Sequence, residues 1–255
     1  MSAGTYAPRP GAAPLARMIG AQAAFETKML LRNGEQLLLT VVIPSLVLVL
    51  FSTVGIIDTG TGEPVDFLAP GVLALAVMST AFTGQAIATG FERRYGVLKR
   101  LGASPLPRWA LLSAKTLSVL ATEVLQVALL TVIAFTLGWS PQGDPLSVLL
   151  LLVLGTVAFS GLGLLMAGTL RAEATLAAAN LVFLLLLVGG GVIVPLDRFP
   201  DGLESVLALL PISALSDGLR DVLQHGASLP WGDLGILAVW SVLGLGAAAR
   251  WFRWE

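Results

Sequence analysis

The chain has no cysteine and a single histidine, His225, among its 255 residues. Disulfides, thiolate nucleophiles and Cys-based metal sites are thereby excluded, and one imidazole cannot build a His-based metal cluster. Charge is also scarce, at 12% of residues against about 25% in ordinary soluble domains. The balance is close to neutral, with 15 Lys and Arg against 16 Asp and Glu, so no basic field draws in nucleic acid. Apolar residues fill the space instead: 56% of the chain is hydrophobic and the mean hydropathy is +0.86. A water-soluble domain of this length could not bury so much apolar surface, and a disordered chain would not carry it. The composition is that of an integral membrane protein.

A bilayer core of about 30 Å takes about 20 apolar helical residues. Uncharged runs at 37–57, 67–91, 146–170 and 175–195 meet this length, and 116–137 does so with Glu123 as its one interruption. The run 234–249 is shorter, but Trp231 before it and Trp251, Phe252 and Trp254 after it read as interfacial anchors. These runs are continuous rather than alternating, which favours helices over barrel strands. The expected fold is an all-α integral membrane protein, a single membrane domain of six transmembrane helices. Segments on one side of these spans hold thirteen Lys and Arg, and those on the other side two. The positive-inside rule then puts both termini in the cytoplasm.

Residues 1–14 read as a mobile tail, interrupted by Pro8, Pro10, Gly11 and Pro14 and lacking the apolar core of a cleavable signal. From Leu15 to Gly34 the pattern is helical. Leu15, Met18, Ile19, Gln22, Phe25 and Met29 recur at steps of three and four, with Arg17, Lys28 and Arg32 largely off that stripe. Such a helix either lies in the inner headgroup layer or serves as a lead-in packed on the bundle.

The segment 92–102 reads as a short helix. Phe91, Tyr95, Leu98 and Leu101 share a face, and Glu92, Arg93, Arg94, Lys99 and Arg100 cover the remainder. Gly102 ends it, and Pro105 and Pro107 prevent its resumption. Two readings stand: a rigid element that docks in another protein's groove, or basic residues that anchor topology on anionic lipid.

The stretch Glu92-Arg-Arg-Tyr-Gly-Val-Leu-Lys-Arg-Leu-Gly-Ala-Ser-Pro-Leu-Pro-Arg-Trp-Ala-Leu-Leu-Ser-Ala-Lys115 closely resembles the signature of type-2 ABC transporter permeases. A second stretch is similar to that family's extracellular re-entrant segment: Pro195-Leu-Asp-Arg-Phe-Pro-Asp-Gly-Leu, Leu210-Pro211 and Ala214-Leu-Ser-Asp-Gly-Leu-Arg220. Arg32 and Pro44 around the first span fit as well. The resemblance covers essentially the whole chain, with Val97 where Thr is frequent and Leu210 where Asn is frequent. It implies a permease subunit of the plasma membrane that pairs with a second permease copy, as homodimer or heterodimer, and docks a cytoplasmic ABC ATPase. Residues 92–102 would be the coupling helix, 15–34 the interface helix and 196–233 the extracellular re-entrant segment. Glu92, Arg93, Arg94, Tyr95, Leu98, Lys99, Arg100 and Leu101 would then face the ATPase. The expected substrate is lipophilic (a drug, an antibiotic or a lipid-like molecule), exported by alternating access. No phosphate-binding loop and no Gly-Lys pair occurs in the chain, so ATP and Mg would sit on the partner ATPase.

Within the third span, Glu123 and Gln126 share a helix face. A charge at mid-membrane costs about 2.5–3.5 kcal/mol on insertion scales, so this face should meet protein or a wet cavity. It either lines a transport path, with Lys115 or Arg171 as candidate partners of the carboxylate, or supplies interhelical hydrogen bonds. Gln85 and Asn180 are read as helix–helix glue, and Gly189-Gly-Gly191 as an outer gate or the break that starts the re-entrant segment. In that segment, residues 203–210 and 215–223 suggest two short amphipathic helices, the second with Asp217, Arg220 and Asp221 on its polar side. His225 is read as a solvent residue. An ion-coupled secondary carrier working through Glu123 is the alternative function, disfavoured by the lack of an internal repeat. A membrane hydrolase would need clustered catalytic groups that the spans lack.

Overall fold

A computed structural model describes residues 11–34, 38–54, 63–192 and 196–253, and all its regular structure is helical. Helix α1 (Leu15–Arg32) is followed by a π-turn, Leu38–Val42, and α2 (Ile43–Val54). Helix α3 runs from Pro64 to Arg94 through a π segment at Met78–Gly84. The short α4 (Val97–Gly102) precedes α5 (Arg108–Thr136), α6 (Pro145–Thr169) and α7 (Ala172–Gly189). After a 3₁₀ turn at Leu196–Arg198 come α8 (Asp201–Leu207), α9 (Pro211–Leu223) and α10 (Trp231–Trp251).

Five of these helices, α3, α5, α6, α7 and α10, are long and apolar enough to cross a membrane. The expected first span corresponds to the shorter α2, and positions 37 and 55–57 of it lie outside the described residues. Pro44 explains its late start, because proline has no amide to return to the carbonyl four residues earlier. The expected spans 67–91 and 234–249 are exceeded at both ends by the observed helix, and 116–137 at its start, the helix ending at Thr136. The third begins at Arg108, so Lys115 lies inside it; the last reaches Trp231 and Trp251, both well exposed at its ends. Helix α7 starts three residues before the expected 175 and ends at Gly189. There Gly191 takes the left-handed φ of +68°, and a Cβ on Gly190 would lie 2.3 Å from Ile212 Cγ2. Of the two readings of these glycines, the geometry is that of a break.

Helix α3 is the central element. It packs against α2, α5, α6, α7 and α9, and 89% of its apolar window is buried, against 17% for α7. Helices α6 and α10 approach through Gly161 and Gly244, where a Cβ on Gly161 would sit 2.6 Å from Leu245 N. In lipid, helices gain little from apolar burial against each other, so small residues that allow close van der Waals contact carry the packing. At one end, α6 is capped by Asp144, which accepts from the Ser147 amide and hydroxyl at 3.0 Å. Those bonds hold the Asp144 carboxyl below its ordinary range.

Of the 203–210 region only 203–207 is helical, within α8, whose Leu203 and Val206 are exposed. Helix α9 is buried, and here the sequence reading needs correction. Arg220 does not lie on a polar surface but is 6% exposed. Its guanidinium meets Asp217 Oδ1 at 3.0 Å and donates to Val192 O at 2.9 Å, and its Cζ lies 4.0 Å from the centre of the Phe67 ring. The planar fork has enough partners to be buried, which a point charge would lack. Gly71 leaves room for it, since a Cβ there would stand 2.9 Å from Arg220 Nη2. His225 is exposed, 3.3 Å from Asp221.

Candidate functional site

Three polar constellations stand out in an otherwise apolar bundle, all built on α3 and α5. The first is a chain of hydrogen bonds inside the helices. Gln126 on α5 accepts from Thr80 Oγ1 at 2.9 Å, and its Nε2 donates to the Thr40 carbonyl. Residue 40 is four before Pro44, so the Gln126 amide takes the place of the helical N–H that proline removes. One turn away, Thr156 on α6 donates to Glu123 Oε2, while Oε1 is buried with no partner among the described residues. Further along, Ser160 donates to Gln85 Oε1 and lies 3.0 Å from Thr116 Oγ1; Gln85 Nε2 is buried and has no partner among the described residues. The π segment of α3 supplies Thr80, and Gln85 follows immediately after it. Such segments open the regular carbonyl ladder and recur at functional sites.

The second constellation is ionic. Lys115 Nζ lies 2.6 Å from Glu92 Oε2 and 3.1 Å from both Glu26 oxygens, and Gln22 Nε2 donates to Glu26 at 2.9 Å. Lys115 is 3% exposed. One buried ammonium thus ties α1, the end of α3 and α5 together. This corrects the pairing expected for Glu123, whose partner is Thr156 and neither Lys115 nor Arg171. Helix α1 packs on α5 through Met18, Ile19, Gln22, Ala23, Glu26 and Leu30, all partly buried, while Phe25 and Met29 from the expected stripe are more than half exposed.

The third surrounds the expected coupling helix, which is not one helix over 92–102. Residues 92–94 are the last turn of α3, and the chain breaks at Gly96, whose φ of +70° suits glycine. Arg93 donates to the Leu170 carbonyl and Arg94 pairs with Glu173, so both arginines clamp the α6–α7 connection. Leu98 is 1% exposed and packs with Leu111, Leu112, Leu164, Ala248 and Phe252, and Leu101 joins that cluster. Tyr95, Lys99 and Arg100 face outward. Of the eight residues expected to face an ATPase, Tyr95, Lys99 and Arg100 therefore form the outer surface of this end, with Arg94, also exposed, turned to Glu173. The others seat it on the bundle or link it to neighbouring helices.

A cavity of about 800 Å³ opens between α1, α3 and α5, with Glu26, Glu92, Lys115, Gln85, Thr80 and Thr122 in its walls. A second, of about 440 Å³, lies between α2, α3 and α7 and includes Asn180. Asn180 donates to its own helix at Leu176 O, 3.0 Å away, rather than across a helix pair as expected. Glu26, Thr40, Thr156 and Ser160 were not singled out from the sequence. Glu26 had a signal, as the sole acid between Gly11 and Gly34; the hydroxyls had none, because serine and threonine in spans are common.

The family model for the ABC-2 type transporter matches residues 19–223, which contain all of these residues except Met18, Ala248 and Phe252. The chain belongs to the ABC-2 type transporter family. A curated relative, the putative transport permease YvfS of Bacillus subtilis, is 25% identical over 228 residues, covering 87% of this chain and 91% of its own. The linearmycin resistance permease protein LnrN of the same organism is 27% identical over 164 residues, covering 63% of this chain and 43% of its own. As an ABC-2 permease the chain is a multi-pass protein of the cell membrane and a transport subunit of an ABC exporter without an ATPase site.

Proposed function

We propose that this permease has six spans, counting α2, with both termini and α4 in the cytoplasm, and that it works as one half of a dimer driven by separate ATPase subunits. Tyr95, Lys99 and Arg100 meet the ATPase, while Leu98 and Leu101 hold α4 on the bundle. The observation that carries this reading is the pair of linkages behind α4: Lys115 to Glu92 and Glu26, and Arg93 and Arg94 to the α6–α7 connection. A push on α4 reaches α1 and α5 through the buried Lys115 hub and α7 through the two arginine contacts, and packed elements of this kind move as units rather than deform. ATP-driven closure of the ATPase pair thereby alternates access to a path between the permeases. ATP and Mg reside on that partner. The apolar spans, whose interior polar groups are mostly amides and hydroxyls with Glu123 among them, suit a lipophilic substrate, and Glu123 and Gln126 border its path.

The test is co-purification of the tagged permease with its co-expressed ABC ATPase. Lys99→Glu with Arg100→Glu is expected to abolish recovery of the ATPase while leaving the yield of permease unchanged. Unaltered recovery contradicts the docking assignment. ATP-independent uptake by vesicles holding the permease alone would instead favour an ion-coupled carrier.

A further inference from the structure

The 800 Å³ cavity between α1, α3 and α5 is larger than the ionic hub at its mouth requires. On α3 it spans from Glu92 to Thr80, twelve residues, or about 18 Å of helix. At the mouth the charges are unequal inside and out. Lys115 presents its ammonium to three carboxylate oxygens of Glu26 and Glu92, so it has no proton left for an added anion. Two carboxylates sharing one ammonium leave one surplus negative charge there, and Arg32, the remaining charge on the lining, is exposed at the rim. Beside the carboxylates, Phe91 and Tyr95 stack with centroids 6.2 Å apart, and both line the cavity. Carboxylates next to aromatic faces attract organic cations.

A second, independent feature lies deeper. Gln85 is 6% exposed and lines the same cavity, and its Nε2 has no partner among the described residues. An amide donor left unpaired away from water is costly, and a ligand acceptor brought to it would remove that cost. Met29, Leu30, Val97 and Val119 supply apolar wall between the two ends. The volume falls in the range of about 300–1,000 Å³ that holds drug-sized molecules.

We propose that this cavity binds lipophilic organic cations carrying a hydrogen-bond acceptor, with the positive charge at Glu26, Glu92 and Tyr95 and the acceptor at Gln85. The inference rests on the exporter reading and names its substrate class. Its test does not use the ATPase, so the two can fail separately.

The probes are rhodamine ethyl ester, a xanthylium cation, and fluorescein ethyl ester, the matching xanthene anion with the same ester acceptor. Fluorescence anisotropy with the full-length permease in lipid nanodiscs, corrected for empty nanodiscs, reads their binding. The cation is expected to bind at least about tenfold tighter than the anion, a ratio equal to ~1.4 kcal/mol. Tyr95→Ala weakens the cation about three- to tenfold, the range of a cation–π contact, whereas Tyr95→Phe preserves it. Gln85→Leu weakens both dyes, and Arg32→Gln weakens neither. Tyr95 is exposed, so its variants fold even if the Gln85 variant does not. Equal binding of the two dyes, tighter binding of the anion, or indifference of the cation to Tyr95→Ala overturns the proposal.

Discussion

The Gln126–Thr40–Pro44 arrangement allows a quantitative test of how the first span is held. Gln126→Leu removes the acceptor of the Thr80 hydroxyl and a donor to the Thr40 carbonyl, both buried. Each lost partnership costs about 1–3 kcal/mol in mutational series. Interhelical hydrogen bonds within membranes average only about 0.6 kcal/mol, because the inserted but unpacked helices find other partners. The expected loss is therefore about 1–3 kcal/mol in total, with the carbonyl responsible for about half. Pro44→Ala gives the backbone an amide that can serve Thr40, so Gln126→Leu should cost about 1 kcal/mol less in that background. Thermal unfolding of the purified single and double variants measures this, at about 2–4 °C per kcal/mol for a chain of this size. Additivity within about 0.3 kcal/mol would refute the substitution of a side-chain amide for the missing backbone one.

Two further substitutions probe the remaining polar groups. Arg220→Met leaves Asp217, Val192 O and Phe67 without their partner and should destabilise the protein by about 3–5 kcal/mol, with no rescue by Arg220→Lys, whose ammonium lacks the fork; a wild-type melting temperature would contradict this. Glu123→Ala is expected to lower vesicle transport about fivefold, equivalent to ~1 kcal/mol in the barrier, while yield and ATPase recovery stay unchanged; normal transport would remove Glu123 from the path.

Much of the bundle was legible because span detection depends on length and uncharged runs, which the 30 Å hydrocarbon core imposes on any sequence. The errors cluster where charge is compensated by tertiary contacts. Lys115 ended the expected third span because it is basic, yet two carboxylates from other helices allow it inside. Arg220 was assigned to a polar face for the same reason, and partners distant in sequence bury it. The break at Gly96 was missed since the apolar spacing of Phe91, Tyr95, Leu98 and Leu101 continues across it. The basic segment itself was found, but which of its side chains turn outward depends on where α6, α7 and α10 end. Periodicity within one segment carries no such information.

The coupling scheme requires α4 to lie where a cytoplasmic motor can reach it, with α9 on the opposite face of the membrane. The absence of cysteine permits a direct measurement. Ser104→Cys, between α4 and α5, and Ser228→Cys, between α9 and α10, place single thiols at exposed positions at the two ends. With a membrane-impermeant maleimide, the Ser228→Cys variant is expected to label in intact cells and the Ser104→Cys variant only after permeabilisation. Labelling of the Ser104→Cys variant in intact cells would put α4 out of the motor's reach and contradict the scheme.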